Sequence, residues 1–174
     1  MPADLPALAR IWQWLEEVPD PELPAVSIVE LGIVREVAWA EDGACQVTVT
    51  PTYSGCPAAS LIKTQISQCL QAHGLREVRC RTRLAPAWSS DWVSASAREK
   101  LRACGIAPPP PCSGGWPELR LPACGSDANA PAGVDCPRCG ASDSELVSAF
   151  GATPCKSLHR CRHCLEPFEH FKCH

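Results

Sequence analysis

Four cysteines near the end of the sequence have the spacing of a tetrahedral metal site. They form two Cys-x-x-Cys pairs with 21 residues between them: Cys136 with Cys139, and Cys161 with Cys164. A Cys-x-x-Cys step lets two thiolates from one tight turn bind the same ion, and two such turns complete a four-thiolate shell. A metal held in this way stabilises a segment that is too short to fold on its own hydrophobic core. The spacing therefore predicts a zinc ribbon at residues 136–174.

The identity of the ion stays open between zinc and a single rubredoxin-like iron, because both accept four thiolates at tetrahedral angles. We favour structural zinc, since a structural role suits a small module at the end of a linker. Two further cysteines in the tail, Cys155 and Cys173, are open as surplus thiols, additional ligands or a pair for transient iron–sulfur binding. Several apolar residues fit short ribbon strands packed beside the metal: Leu146, Val147, Phe150, Leu158, Phe168 and Phe171.

A second candidate group lies in the sequence TPTYSGCP at residues 50–57, between a predicted strand and a predicted helix. Pro57 suits the first turn of a helix, which places Cys56 at the helix N-terminus. Free N–H groups and peptide dipoles there stabilise a thiolate, so we expect a lowered pKa and a nucleophilic or metal-binding thiol at Cys56. Thr50 and Thr52 add hydroxyls to this loop. The alternative is a strand–helix connection whose hydroxyls only satisfy backbone groups.

The carboxylates of Asp20 and Glu22 form a third candidate, in the proline-rich sequence DPELP at residues 20–24. Two carboxylates on a rigid loop can act as hard metal ligands or as an acid/base pair. More often such a pair lies in solvent, or the aspartate caps a turn. The pattern alone favours this second interpretation.

The elements that must position these residues belong to an α+β domain. Apolar residues at helical spacing predict helices at residues 5–17 and 58–72, and a last helix that is capped by Ser90 or Asp91 and ends near residue 104. Alternating apolar residues and turn signals predict strands at residues 33–40, 45–50 and 78–84. Four cysteines in these apolar segments are predicted to be small buried core residues: Cys45, Cys69, Cys80 and Cys104.

A change of composition divides the chain into two domains. Residues 106–135 contain seven prolines and four glycines with little apolar periodicity, which is typical of a linker. We therefore expect a front domain at residues 1–105, a linker at 106–135 and a metal-binding domain at 136–174.

Charge and composition disfavour several classes of function. The net charge is -3, and the tail carries five Lys/Arg against four Asp/Glu, so nucleic-acid binding is not expected. No apolar run approaches about 18 residues and no export signal is visible, so we expect a cytoplasmic protein without membrane association. In a reducing compartment, thirteen cysteines indicate metal or iron–sulfur chemistry more than disulfides.

Motifs for direct catalysis are absent from the sequence. It contains no glycine-rich nucleotide loop, no Glu-x-x-His pair for a di-iron centre and no plant-type Cys-x4-Cys-x2-Cys run. We therefore expect no catalytic residues, and no catalysis by this chain alone.

Three motifs in combination resemble the iron–sulfur cluster assembly domain family: DPELP at residues 20–24, VSIVELGIV at residues 26–34 and TPTYSGCP at residues 50–57. The resemblance covers residues 5–105 and implies a small α+β domain with helices and a three-stranded sheet. It also implies that Cys56 is the reactive or cluster-handling cysteine. The same resemblance places Asp20 and Glu22 in the pocket of that cysteine, with Thr50 and Thr52 flanking it.

With the cysteine-rich tail, which ends FEHFKCH, the whole chain resembles the D-component family of the bacterial phenylacetyl-CoA epoxidase system. That system couples a di-iron oxygenase to a reductase with a flavin and a [2Fe–2S] cluster. The resemblance implies an accessory component of phenylacetate catabolism that helps mature an iron–sulfur cluster or metal centre in the reductase or oxygenase. The alternative is a non-catalytic structural or regulatory subunit that docks through the zinc ribbon. A homodimer is left open.

Overall fold

The computed structural model describes residues 5–110 and 133–172. The chain divides into two compact units, with the boundary between residues 100 and 101. Within the described residues, no helix is long and apolar enough to cross a membrane.

The first unit is an α+β domain, as predicted. Its sheet has the order β1-β2-β3, with β1 antiparallel and β3 parallel to β2. The elements in chain order are α1 (Leu8–Leu15), β1 (Val34–Trp39), β2 (Cys45–Val49), α2 (Ala58–Ala72), β3 (Val78–Thr82), a 3₁₀ helix (Ser90–Trp92) and α3 (Ala95–Ala103). The division between the units falls within α3, after Lys100. Its core contains the apolar faces of α1 and α2 and the central strand: Ile11, Leu15, Ile62, Ile66, Leu70 and Val47 are all buried.

Helix α2 has the predicted bounds because local signals set both of its ends. Pro57 stands at the N-cap with helical φ and ψ of -67° and -25°, values that the proline ring favours. At the other end Gly74 has a φ of +93°. Its N–H donates to the carbonyl of Gln71, and the next N–H donates to Leu70, which closes the last turn.

Gly32, in the turn two residues before β1, is required by close packing. Its φ is +70°, and a Cβ there would lie 2.5 Å from the Cβ of Trp92 in the 3₁₀ helix. Beside it, the buried indole of Trp88 donates from Nε1 to the carbonyl of Leu31 at 2.9 Å. The close approach of Trp92 explains why a glycine precedes this strand.

Two details of the first unit differ from the sequence predictions. The last helix is capped by Ser94, whose Oγ accepts the N–H of Ala97 at 3.1 Å, because Val93 is extended and separates α3 from the 3₁₀ helix. The expectation of four buried core cysteines is wrong for three of them. Only Cys45 among the four is buried, whereas Cys69 and Cys80 are half-buried and Cys104 is exposed.

The second unit contains a four-stranded ribbon sheet in the order β4-β7-β6-β5. Its strands are β4 (Ile106–Ala107), β5 (Ser144–Ser148), β6 (Lys156–Cys161) and β7 (Pro167–Phe171). Strand β4 pairs in parallel with β7, and the other pairs are antiparallel. The segment expected to be a linker thus begins with a short strand, while residues 111–132 lie outside the described residues.

The core of the ribbon is small and includes two of the predicted metal ligands. Ala107, Cys136, Cys161 and Phe168 form a buried cluster. Phe171 is also buried and Leu158 is half-buried, but the other three residues expected beside the metal are exposed. Leu146 and Val147 on the edge strand β5 are 60% and 55% exposed, and Phe150, beyond the end of β5, is 65% exposed.

Candidate metal centre and cysteine loop

The four cysteines of the two Cys-x-x-Cys pairs converge on one point. Their sulfur atoms all lie within 4.8 Å of one another. Across the pairs, Cys136 Sγ lies 3.7 Å from Cys164 Sγ, and Cys139 Sγ lies 3.6 Å from Cys161 Sγ. A regular tetrahedron with zinc–sulfur bonds of about 2.3 Å has edges of about 3.8 Å. These two separations therefore match the edge of a four-thiolate zinc site, and the convergence of all four sulfurs is consistent with one.

Each pair lies in a tight turn that presents both sulfurs on one side. The turns close when Gly140 donates its N–H to the carbonyl of Cys136 at 2.9 Å, and Leu165 donates to Cys161 at 3.1 Å. In the second turn, the N–H groups of His163 and Cys164 both point at Cys161 Sγ at 3.4 Å.

These N–H groups prepare Cys161 to bind a cation. The hydrogen bond from Cys164, aided by that from His163, lowers the pKa of the Cys161 thiol to about 6, so its thiolate forms readily. Bound zinc would supply a structural cross-link between the two turns. The four cysteines that the spacing predicts as metal ligands are thus the ones that the structure brings together.

Cys155 lies outside the four-sulfur cluster. Its side chain is buried, and its Sγ lies 3.0 Å from the Oγ1 of Thr153. Its carbonyl accepts the N–H of Lys172 between strands. Cys173, the other cysteine left open as an additional ligand, lies outside the described residues.

In the front domain, Asp20 caps the loop in which it lies. Its Oδ1 accepts the N–H groups of Glu22 and Leu23, both at 2.9 Å, and only 6% of the residue is exposed. The main chain of this loop is closed by a hydrogen bond from the N–H of Asp20 to the carbonyl of Val26. This geometry holds the DPELP loop in one conformation. It therefore fixes the backbone position from which the Glu22 side chain extends.

Cys56 lies directly before α2, and its charge environment differs from the prediction. Burial raises the pKa of the thiol above its ordinary value, and the N–H of Ala58 only partly opposes this. The negative charges of Glu22 and Asp20 raise the pKa further. The expectation of a lowered pKa at Cys56 is therefore wrong, because burial and the acidic loop outweigh the helix N-terminus. The same charges show that the structure brings the acidic loop and the cysteine loop together.

The two loop threonines are both buried. Thr50 is 1% exposed and Thr52 is 8% exposed. Thr50 donates its N–H to the carbonyl of Ile33 at 2.8 Å, but its Oγ1 has no hydrogen-bond partner among the described residues. An unpaired buried hydroxyl costs free energy, which is more often tolerated at functional sites than elsewhere.

Sequence reasoning missed Leu165, whose N–H closes the second Cys-x-x-Cys turn. It stands one residue after the second cysteine of its pair, where the other turn has Gly140, and it shares the positive φ of that glycine. Aligning the two Cys-x-x-Cys turns by position would have pointed to this residue.

Both units match known families. Residues 8–79 match the family described as "Iron-sulfur cluster assembly protein", and residues 121–172 match the "PaaD zinc beta ribbon domain". The fold and sites thus define an iron–sulfur assembly-type domain followed by a zinc ribbon. Over 168 residues the chain is 40% identical to a protein of Escherichia coli (strain K12) that is provisionally named as the D component of 1,2-phenylacetyl-CoA epoxidase. This match spans 97% of this chain and 94% of that protein. The chain therefore belongs to the PaaD family.

The front half also has relatives of its own. It is 36% identical over 88 residues to the Fe-S protein maturation auxiliary factor YitW of Bacillus subtilis (strain 168), covering 50% of this chain and 85% of that protein. It is 33% identical over 83 residues to the Fe-S protein maturation auxiliary factor SufT of Staphylococcus aureus (strain USA300), covering 47% and 93%. A crystal structure of a domain of unknown function, DUF59, from Bacillus anthracis superimposes with a TM-score of 0.50 at 33% identity, covering 53% of this chain and 89% of that one.

Proposed function

We propose that this protein is a non-catalytic accessory component of a phenylacetyl-CoA epoxidase system. In this role it assists the maturation of an iron–sulfur cluster or metal centre in the reductase or oxygenase partner. One combination of similarities carries the proposal. The chain is similar over its whole length to the D component of an epoxidase, and its front half is similar to auxiliary factors of Fe-S protein maturation.

The chemistry of the Cys56 loop supports a transfer role. A raised pKa keeps the thiol protonated at neutral pH, and a protonated thiol must lose its proton before it can bind iron. The carboxylates of Asp20 and Glu22 attract a cationic cargo to the same place. Competition between proton and metal weakens binding, which suits a ligand that has to release its cargo to a partner.

The metal content of the partners tests this proposal. The reductase and oxygenase are expressed with the wild-type chain, with Cys56→Ser, or without the chain, and their iron and sulfide are measured after anaerobic purification. We expect partners made with Cys56→Ser to lack iron or sulfide as they do without the chain. Cys80→Ser is the matched control, because Cys80 is also half-buried in the front domain but lies on β3. Fully loaded partners in the presence of Cys56→Ser would refute the role of this thiol.

A structural or regulatory subunit that docks through the ribbon is the second candidate. It is favoured by the edge strand β5, where Leu146 and Val147 are 60% and 55% exposed, and by Phe150 beyond it at 65%. Apolar side chains grouped on an edge strand are typical of a protein-binding surface. On this alternative, Leu146→Ser with Val147→Ser would abolish co-purification with the partners, while the iron content of the partners would stay normal.

A further inference from the structure

A second group of potential metal ligands lies in the front domain, between the ends of α1 and α2. It consists of Glu17, Cys69 and His73, whose ligand atoms all lie within 4.8 Å of one another. His73 Nε2 and Glu17 Oε2 are 3.0 Å apart. These residues belong to neither the Cys56 loop nor the four-cysteine centre.

The helices place these three side chains together. Cys69 lies on the last turn of α2, and His73, four residues later, is its C-cap residue, so both project from the same side of the helix end. Glu17 follows the end of α1, where its N–H donates to the carbonyl of Trp14. The indole of Trp14 also stacks on the His73 ring, with 4.6 Å between ring centroids and 6° between planes. This stacking fixes the orientation of the imidazole.

We propose that Glu17, Cys69 and His73 bind one zinc-class transition-metal ion. A thiolate, an imidazole and a carboxylate are together the three kinds of ligand that zinc accepts in proteins. Two negative ligands would neutralise a divalent ion, so the occupied site would carry no net charge. Glu17 and His73 are exposed, which leaves a fourth position open to water or to a group from another molecule. Three protein ligands and one open position are typical of zinc sites that exchange a ligand.

Binding requires two hydrogen bonds to break. His73 Nε2 shares a hydrogen bond with Glu17 Oε2 at 3.0 Å, and because a carboxylate only accepts, this nitrogen carries the proton. The neutral ring must move that proton to Nδ1 before Nε2 can bind the metal, a change of tautomer that releases no proton.

Cys69 Sγ donates to the carbonyl of Trp14 at 3.2 Å, so the thiol proton has to leave to solvent as the metal–sulfur bond forms. Burial and the charge of Glu17 raise the pKa of Cys69, which favours the thiol while no cation is present. A divalent ion beside Glu17 reverses that electrostatic effect. Binding should therefore weaken as the pH falls and release about one proton from the thiol.

Metal titration of the full-length chain tests the proposal. Protein that already holds one zinc per chain is titrated with Zn²⁺ against a chelating dye, and separately with Co²⁺ in an absorption experiment. We expect a second equivalent of metal to bind. The bound Co²⁺ should show a thiolate-to-cobalt charge-transfer band of single-thiolate intensity. The experiment is done in a Cys56→Ser background, which removes the other thiol that lies close to front-domain carboxylates.

Ligand variants with matched controls decide the assignment. Cys69→Ser should remove the charge-transfer band. Glu17→Gln should lower the affinity for the second metal ion by at least about tenfold, in line with the loss of one group at a metal site. Glu17 is exposed, so Glu17→Gln folds even if Cys69→Ser loses stability. The controls Glu16→Gln and Cys80→Ser should bind like the parent. Absence of a second equivalent, or equal binding by Glu17→Gln and Glu16→Gln, would overturn the proposal and leave an ordinary Glu–His contact beside a half-buried thiol.

This inference does not depend on the proposed maturation role. The site could bind zinc in a protein that only docks, and partner maturation through Cys56 could proceed without it. The titration uses the isolated chain, so its failure is independent of any result on the epoxidase partners.

Discussion

Gly140 and Leu165 occupy the same position in the two metal-binding turns of the ribbon. Each donates its N–H to the carbonyl of the first cysteine of its pair, and their φ angles are +76° and +64°. Glycine adopts this left-handed conformation without strain, whereas a leucine Cβ crowds the following carbonyl. Leu165 is the one non-glycine residue with a positive φ in the part of the chain that the structure describes. The second turn is thus held closed against local strain.

Relief of that strain should stabilise the ribbon. We predict that Leu165→Gly makes zinc binding by the ribbon more favourable by about 1 kcal/mol. The reason is that the αL penalty of leucine, about 1–2 kcal/mol, exceeds the extra entropy that glycine loses on folding. The Leu165 side chain is 61% exposed, so its removal sacrifices little packing. Competition with a chelator measures the change. Leu165→Ala is the control, since it shortens the side chain but keeps the strain, and equal retention by both variants would contradict the prediction.

Removal of one ligand should unfold the ribbon alone. We predict that Cys139→Ser releases the metal and makes residues 133–172 sensitive to protease, because metal binding contributes on the order of 10 kcal/mol to folding such modules. The helices and strands of the first unit should stay folded. Cys155→Ala is the matched control within the same unit, since Cys155 lies outside the sulfur cluster. Full zinc stoichiometry in Cys139→Ser would refute the four-cysteine assignment.

The acidic loop should suppress the reactivity of Cys56. Since the charges of Glu22 and Asp20 raise its pKa, we predict that Glu22→Gln speeds alkylation of Cys56 several-fold at neutral pH. Each unit by which the pKa falls increases the thiolate fraction about tenfold below the pKa. Asp20→Asn should act in the same direction while its Oδ1 still caps the loop. Peptide mass spectrometry after iodoacetamide treatment measures the rate, and Glu16→Gln serves as the control. An unchanged rate in Glu22→Gln would mean that its charge does not reach the thiol.

His170 should make the ribbon sensitive to acid. Burial, with the charge of His159 next in importance, lowers the pKa of His170 from 6.5 to about 4. A lowered pKa in the folded state means that the fold favours the neutral ring, so this stabilisation is present above pH 6.5 and is lost as the pH falls toward 4. We predict that His170→Gln flattens the fall in stability across this window. Protonation of the zinc ligands affects both proteins alike, so parallel pH profiles would contradict the prediction.

Local signals in the sequence were sufficient where one short segment determines the geometry. The bounds of α2 follow from Pro57 and from the turn at Gly74, and the convergence of four sulfurs follows from the spacing of two tight turns. The cap of α3 shows the limit of this reasoning. Ser90, Asp91 and Ser94 are all good capping residues, and the choice between them depends on Val93, which is extended where the chain packs against Glu30 and Gly32.

Properties that depend on distant segments could not be read from the sequence. The helix-terminus argument for Cys56 included the free N–H groups and peptide dipoles but had no measure of burial, which decides the direction of the pKa shift. Similarly, the i, i+4 spacing of Cys69 and His73 is visible in the sequence. The third member of that group, Glu17, is separated from His73 by 56 positions and meets it only when α1 and α2 pack.

Reconstitution with loaded partners tests the central proposal most directly. The oxygenase and reductase are purified with full iron and [2Fe–2S] content, and phenylacetyl-CoA epoxidation is measured before and after addition of this protein. Partners that already contain their iron and [2Fe–2S] cluster no longer need a maturation factor, so we predict that turnover changes little. If the mixture stays inactive until the protein is added, it is a constitutive subunit of the epoxidase, and the maturation role is contradicted.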